Sequence, residues 1–154
     1  MENKALILTS KLVQDHEFIY HFYRLKEEGF IVHTCNGNDK QVLGYFGTKI
    51  PPKEEDHIIQ LKDINVKNYS LLILPGGVKS MEIMRPNKEL LNIIKKFNDN
   101  NIIIAATCSA AMLLISSGLS KGKSMTGYYA WKDDIINSGA KFIDKPCVID
   151  GNIV

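Results

Sequence analysis

No stretch of this sequence approaches the roughly 20 consecutive apolar residues that cross a bilayer, so no membrane-spanning role is expected. Excess charge is missing too: 19 Lys and Arg stand against 17 Asp and Glu, a formal net charge of +2. With the lysines interspersed among acids, that balance argues against nucleic acid and against a membrane surface as partners. Cysteine is sparse: three residues, an odd and widely spaced set, do not make a disulfide framework. No Cys/His spacing suits zinc, and the glycines form neither a Walker loop nor a dinucleotide fingerprint, so no metal or cofactor is expected. The start, Met1-Glu2-Asn3-Lys4, lacks the basic region, apolar centre and cleavage site of a signal peptide. Together with unpaired cysteines this points to a reducing cytoplasm.

What is present is an ordinary globular composition, 45% hydrophobic and 23% charged over 154 residues. That length suggests a single domain, 1–154, able to bury about 68–70% of its unfolded surface. There is no internal repeat and no low-complexity segment. Ala5-Leu6-Ile7-Leu8 reads as a strand buried on both faces. Asp15 then resembles a helix N-cap, with Phe18, Ile19, Phe22 and Leu25 on one face, and Gly29 closes the helix. Phe30 to Cys35 reads as a second strand. A strand, helix and strand in this order imply a parallel sheet. Residues 36–68 are punctuated by Gly37, Gly44, Gly47 and Pro51-Pro52, and read as an excursion containing a small hairpin.

Leu71 to Leu74 is another buried strand, ended by Pro75-Gly76-Gly77. An amphipathic helix is expected over 87–99, with Leu90, Leu91, Ile94 and Phe97 inward. Ile102 to Ala106 is the most strand-like run, and it leads through Thr107-Cys108-Ser109 into a helix over Ala110 to Ser117 that Gly118 stops. Asp133 to Asn137 predicts a short helix. Phe142-Ile143 and Cys147-Val148-Ile149 are short strand candidates, and Asp150-Gly151 is a turn signal.

Cys35 and Cys147 read as packing residues, because free cysteine is among the most buried residue types. Cys108 differs. It stands where a central strand meets a small-residue helix, at the sheet edge where open α/β folds bind ligands. The helix N-terminus is expected to lower its pKa. The flanking glycines of the hydrolase serine elbow are absent here. Gly76 and Gly77 permit close backbone approach, and with the Ser109 amide they could form an oxyanion hole. Glu17, just past the first strand, reaches the same edge and is the candidate proton shuttle for the Cys108 sulfur. The histidines 16, 21, 33 and 57 do not adjoin Cys108 in sequence. His16 and His21 read as surface or packing residues.

These residues resemble the ThiJ/PfpI family, which groups intracellular cysteine peptidases, deglycases and glyoxalases. The carriers are Glu17 in Asp15-His16-Glu17-Phe18-Ile19-Tyr20, then Tyr23 to Gly29, Leu72 to Gly77, Ala105-Ala106-Thr107-Cys108, and Leu113 through Gly118-Leu119 to Lys123 with Thr126. Asp133-Asp134, Asn137 to Ala140 and Val148 to Asn152 follow in order. Any one piece is weak, and the ordered set is specific. The resemblance implies a flavodoxin-like three-layer α/β/α sandwich with a mostly parallel sheet. It implies Cys108 as nucleophile, Glu17 as its bound carboxyl, and Ser109 with Gly76 or Gly77 as anion-binding amides. Tyr128 takes the downstream position against the cysteine. Glu82 matches an acid that some members lend to a neighbouring subunit, across a one-residue length difference, so a homo-oligomer (dimer or higher) is implied.

The sequence departs from the family in two places. Peptidase-like members carry His directly after the cysteine, and Ser109 stands there; that pairing resembles the isonitrile hydratase-like and regulator-like branches. Members also continue into a C-terminal helix that is not found before Val154, so that face of the sheet is expected to be covered by residues beyond this sequence or by another subunit. Amide hydrolysis must protonate a departing amine, which usually needs a histidine acid. Thiol addition to an aldehyde needs only one carboxyl. The expected function is therefore glyoxalase- or deglycase-type chemistry on small aldehydes, methylglyoxal or glycated adducts, in stress protection. A cysteine peptidase or other hydrolase, and a non-enzymatic redox sensor or chaperone, are the alternatives.

Overall fold

The computed structural model describes residues 3–53 and 56–154. Met1 and Glu2, read above as leading into the first strand, lie outside the described residues. β1 (Lys4–Leu8) is followed by α1 (Asp15–Glu27) and β2 (Ile31–Cys35). The excursion contains an antiparallel hairpin of two-residue strands, β3 (Val42–Leu43) and β4 (Lys49–Ile50). The chain then returns through β5 (Leu71–Leu74), α2 (Val78–Met84), α3 (Lys88–Asp99) and β6 (Ile103–Ala106). A 3₁₀ turn at Cys108–Ala110 leads into α4 (Ala111–Ser116). β7 (Ser124–Met125), α5 (Lys132–Asn137) and β8 (Lys141–Phe142) complete the order.

The central sheet is parallel, in the order β2-β1-β5-β6. The central strands β1 and β5 carry uninterrupted apolar runs because both faces are covered. Leu6, Leu8, Leu72, Leu74 and Ile104 pack on one side with Met81 and Met84 of α2, Ile94 and Phe97 of α3 and Leu113 and Leu114 of α4. Ile7, Val32 and Ile73 pack on the other with Phe18 and Phe22 of α1. This is the three-layer α/β/α arrangement. Residues 152–154 run along the outer edge of β6, where the Ile104 amide donates to Asn152 O at 2.8 Å and the Ala106 amide to Val154 O at 2.9 Å. The order places a topological switch between β1 and β5, so the loops after β1, β5 and β6 meet at one edge of the sheet.

Some local expectations change. Asp15 is the first helical residue and does not cap α1. Its carboxylate accepts from the Phe46 amide at 2.8 Å and the Thr48 amide at 2.9 Å, tying the hairpin turn to the helix. A Cβ on Gly44 would lie 2.5 Å from Asp15 Oδ1, so only glycine fits beside that carboxylate. Cys147-Val148-Ile149 forms no strand and Cys147 is exposed, so it is not a packing residue. α2 was not anticipated. Ser80, Met81 and Met84 are its buried residues, too few apolar positions to show a period. Among the described residues no helix is long and apolar enough to cross a membrane.

Candidate active site

Three strand ends build the site. Thr107 continues β6 and donates its amide to Leu74 O at 3.1 Å. The chain then turns sharply, and Cys108 takes φ 58°, the left-handed region that a non-glycine residue seldom occupies. Such strain costs about 1–3 kcal/mol and persists only where the surroundings over-determine it. Here the Ala110 amide donates to Thr107 O at 2.9 Å and the Tyr128 amide to Cys108 O at 3.2 Å, holding the turn from both sides. The result is the strained strand-to-helix elbow that presents a nucleophile at a sheet edge.

Glu17 arrives from the first turn of α1 and is buried. The Gly76 amide donates to Glu17 Oε2 at 2.7 Å, and the Gln14 amide donates to Gly76 O at 3.1 Å. Both backbone groups of Gly76 thus dock the start of α1, and this holds the carboxyl against Cys108. A Cβ at Gly76 would fall 2.8 Å from both Glu17 Oε2 and Thr107 O, and one at Gly77, where φ is 111°, would fall 2.6 Å from Gln14 N. The glycine pair is required for this approach.

The two glycine amides, expected to face a substrate oxygen, are engaged otherwise. Gly76 serves Glu17, and the Gly77 amide donates to Ser109 Oγ at 2.8 Å. Ser109 is fully buried, and its amide and hydroxyl both act on the Cys108 sulfur to favour the thiolate. Ser109 therefore links the Gly77 loop to the thiol.

Burial, then the Glu17 charge and its hydrogen bond, push the Cys108 thiol up to about 11, against the smaller opposing effect of Ser109. This corrects the expected lowering. The element after Cys108 opens as a 3₁₀ turn and continues for six residues, so its dipole is small, while a full negative charge sits at the sulfur. At neutral pH Cys108 is therefore held as the thiol.

A cavity of about 430 Å³ opens on Cys108. Its lining includes Tyr128, Thr126, His21, Lys145 and Cys147. The Tyr128 phenol is held above its usual range by its hydrogen bond to Tyr129. His21, Lys145 and Cys147 were not foreseen at the site. The signal for His21 was available, since it lies four residues after Glu17 and so on the same helical face. Glu82 does not line the cavity; it is exposed on α2, with Lys79 Nζ 3.1 Å from its carboxylate. Among the described residues no three His, Cys, Asp or Glu side chains form a metal-holding group.

The fold and the cysteine elbow define an α/β protein with a carboxyl-paired thiol at the switch of a parallel sheet. The chain belongs to the DJ-1/PfpI family, whose model matches residues 3–154. It is 32% identical over 98% of its length to a deglycase of Pyrococcus horikoshii, covering 87% of that protein. It is 28% identical over its full length to a putative cysteine protease of Bacillus subtilis, covering 88% of that protein. The crystal structure of Drosophila melanogaster DJ-1beta superposes with a TM-score of 0.88 at 24% identity, over 99% of this chain and 80% of that one.

Proposed function

We propose that this protein is a cysteine-dependent enzyme of glyoxalase or deglycase type, acting on small reactive carbonyls such as methylglyoxal or glycated adducts. The observation that carries the reading is the buried Glu17 carboxyl, held by the Gly76 amide beside the Cys108 thiol that lines the cavity. A thiol held neutral beside a carboxylate is arranged for general-base attack. Glu17 takes the Sγ proton as sulfur adds to the aldehyde carbon, and returns it to the new oxygen as a hemithioacetal forms. Glu17 then removes the proton on that carbon and delivers it to the neighbouring carbon, while the hemithioacetal hydroxyl proton passes to the former ketone oxygen. The product is a thioester, and water releases the hydroxy acid. The Ser109 amide, which is directed at the sulfur, and the Tyr128 hydroxyl are our candidates for the developing oxyanion. Gly76 and Gly77 act by allowing the close approach that sets Glu17 and Ser109 in place. A cavity of about 430 Å³ suits a small molecule.

Relatives named deglycase support this choice. Ser109 stands where peptidase-like members carry a histidine directly after the cysteine, so that donor is absent from that position. The elevated thiol weakens the redox-sensor alternative, because oxidation follows thiolate character. We further propose a cytoplasmic homo-oligomer. Exposed Leu43, Tyr45, Phe46 and Val78 offer apolar surface for a second copy, and Glu82, one turn after Val78 on α2, would lie near such a contact.

The test is lactate formation from methylglyoxal. Wild-type protein is expected to form it, Cys108→Ala to fall to background, and Glu17→Gln to lose about 10²–10⁴-fold. Unchanged turnover in Cys108→Ala would overturn the reading.

A further inference from the structure

Any carbonyl chemistry that ends with an acyl group on Cys108 leaves one problem that Glu17 is poorly placed to solve alone. The thioester must be attacked by water, and water needs a base on the cavity side of the carbonyl carbon. Glu17 faces the sulfur and has one oxygen held by the Gly76 amide, so it is placed to serve the thiol. A second base is therefore to be sought in the cavity wall.

His21 is positioned there. It follows Glu17 by one helical turn, is half-buried, and lines the cavity that opens on Cys108. Its Nδ1 lies 2.5 Å from the backbone carbonyl oxygen of Glu17. A carbonyl only accepts, so Nδ1 carries the proton and donates it. That bond fixes both the tautomer and the ring orientation, leaving Nε2 as the basic nitrogen, in the manner by which a catalytic histidine is set by the partner of its other nitrogen. No histidine follows Cys108 directly, since Ser109 occupies that place.

We propose that His21 is a further catalytic residue, the base that activates water to free the acyl group from Cys108. The inference rests on Cys108 being the nucleophile. In the step, Nε2 takes a proton from water, the hydroxide oxygen bonds to the thioester carbon, and the carbon–sulfur bond breaks. The proton then passes from the imidazolium to the departing sulfur. A carboxylic acid and the free thiol result.

p-Nitrophenyl acetate isolates this step, because it acylates a nucleophilic cysteine without any proton shuttle between carbons. Wild-type protein is expected to give a nitrophenolate burst of one equivalent, absent in Cys108→Ala, followed by steady turnover. His21→Gln and His21→Asn are expected to keep the burst, which reports a folded site, while steady turnover falls about 10²-fold. Added imidazole is expected to restore part of that loss. A full burst with wild-type turnover in both variants overturns the role of His21 alone. A burst missing from both variants places His21 in acylation or folding and overturns it too. No burst in the wild type overturns the cysteine reading and this inference together.

Discussion

Two strands of the central sheet lead to a cysteine at the same edge, and the two thiols are pushed up to the same value for different reasons. Cys35 closes β2, is sealed in the core, and rises to about 11 chiefly through burial. Cys108 follows β6, is only half-buried, and rises to about 11 through burial joined by the charge and hydrogen bond of Glu17. The first thiol is sealed in the core, where the Gly37 backbone and the Glu89 charge act on it less than burial does, and it packs. The second has a strained elbow, a cavity and a carboxylate able to take its proton. A raised pKa by itself therefore does not separate an inert cysteine from a reactive one. The partner that causes the rise does.

The largest expected effect sharpens that contrast directly. Cys108→Ser should abolish methylglyoxal turnover while leaving the melting temperature within a few degrees. Cys35→Ser should keep turnover and lose about 1–3 kcal/mol of stability, from a hydroxyl buried without a partner. Equal activity loss in both would erase the distinction. Next comes Gly76→Ala. The added methyl meets Glu17 Oε2 and Thr107 O, both at 2.8 Å. We expect about 1–3 kcal/mol of destabilisation and a displaced Glu17, read as a large fall in kcat. Wild-type kcat in that variant would show that the close approach does not position the base.

The smallest effect concerns Asp15, at the same end of α1 as Glu17. Burial raises the Asp15 carboxyl, and hydrogen bonds from Phe46 and Thr48 outweigh it, holding it below its ordinary value. Its contribution to stability is therefore fully present above the unfolded carboxylate value of about 3.9, and it is lost as pH falls through the lower folded value. Asp15→Ala should cost about 1–3 kcal/mol at pH 7 by urea unfolding, and the difference from wild type should shrink at the acidic end. A cost that persists unchanged in acid would remove the hydrogen-bonded carboxylate from the account.

Much of this architecture was legible because a parallel sheet covered on both faces leaves uninterrupted apolar runs, as at Leu6-Ile7-Leu8 and Leu72-Ile73-Leu74. The elbow was legible as a strand running into small residues, and Glu17 as an acid one element past a strand end. Other features left no such mark. β7 and β8 have two residues each and, among the described residues, pair only with one another. Cys147-Val148-Ile149 is apolar enough for a strand but finds no partner. Gly76 and Gly77 announced flexible amides, yet which atoms those amides serve depends on where α1 docks, a tertiary fact. His21 was visible at one turn from Glu17. The helix face, however, was read from Phe18 and Phe22, which point into the core. The sign of the Cys108 shift was missed because sequence shows the helix that follows, but not the charge lying against the sulfur.

That charge is the centre of the account, and alkylation of Cys108 by iodoacetamide as a function of pH measures it most directly. In wild-type protein the labelling rate should rise with a midpoint near 11. Glu17→Gln removes the negative charge that disfavours the thiolate, so the midpoint should drop and labelling at neutral pH should speed up, even as methylglyoxal turnover collapses. A Cys108 midpoint that stays in place when Glu17 is neutralised would contradict the pairing on which the proposed chemistry depends.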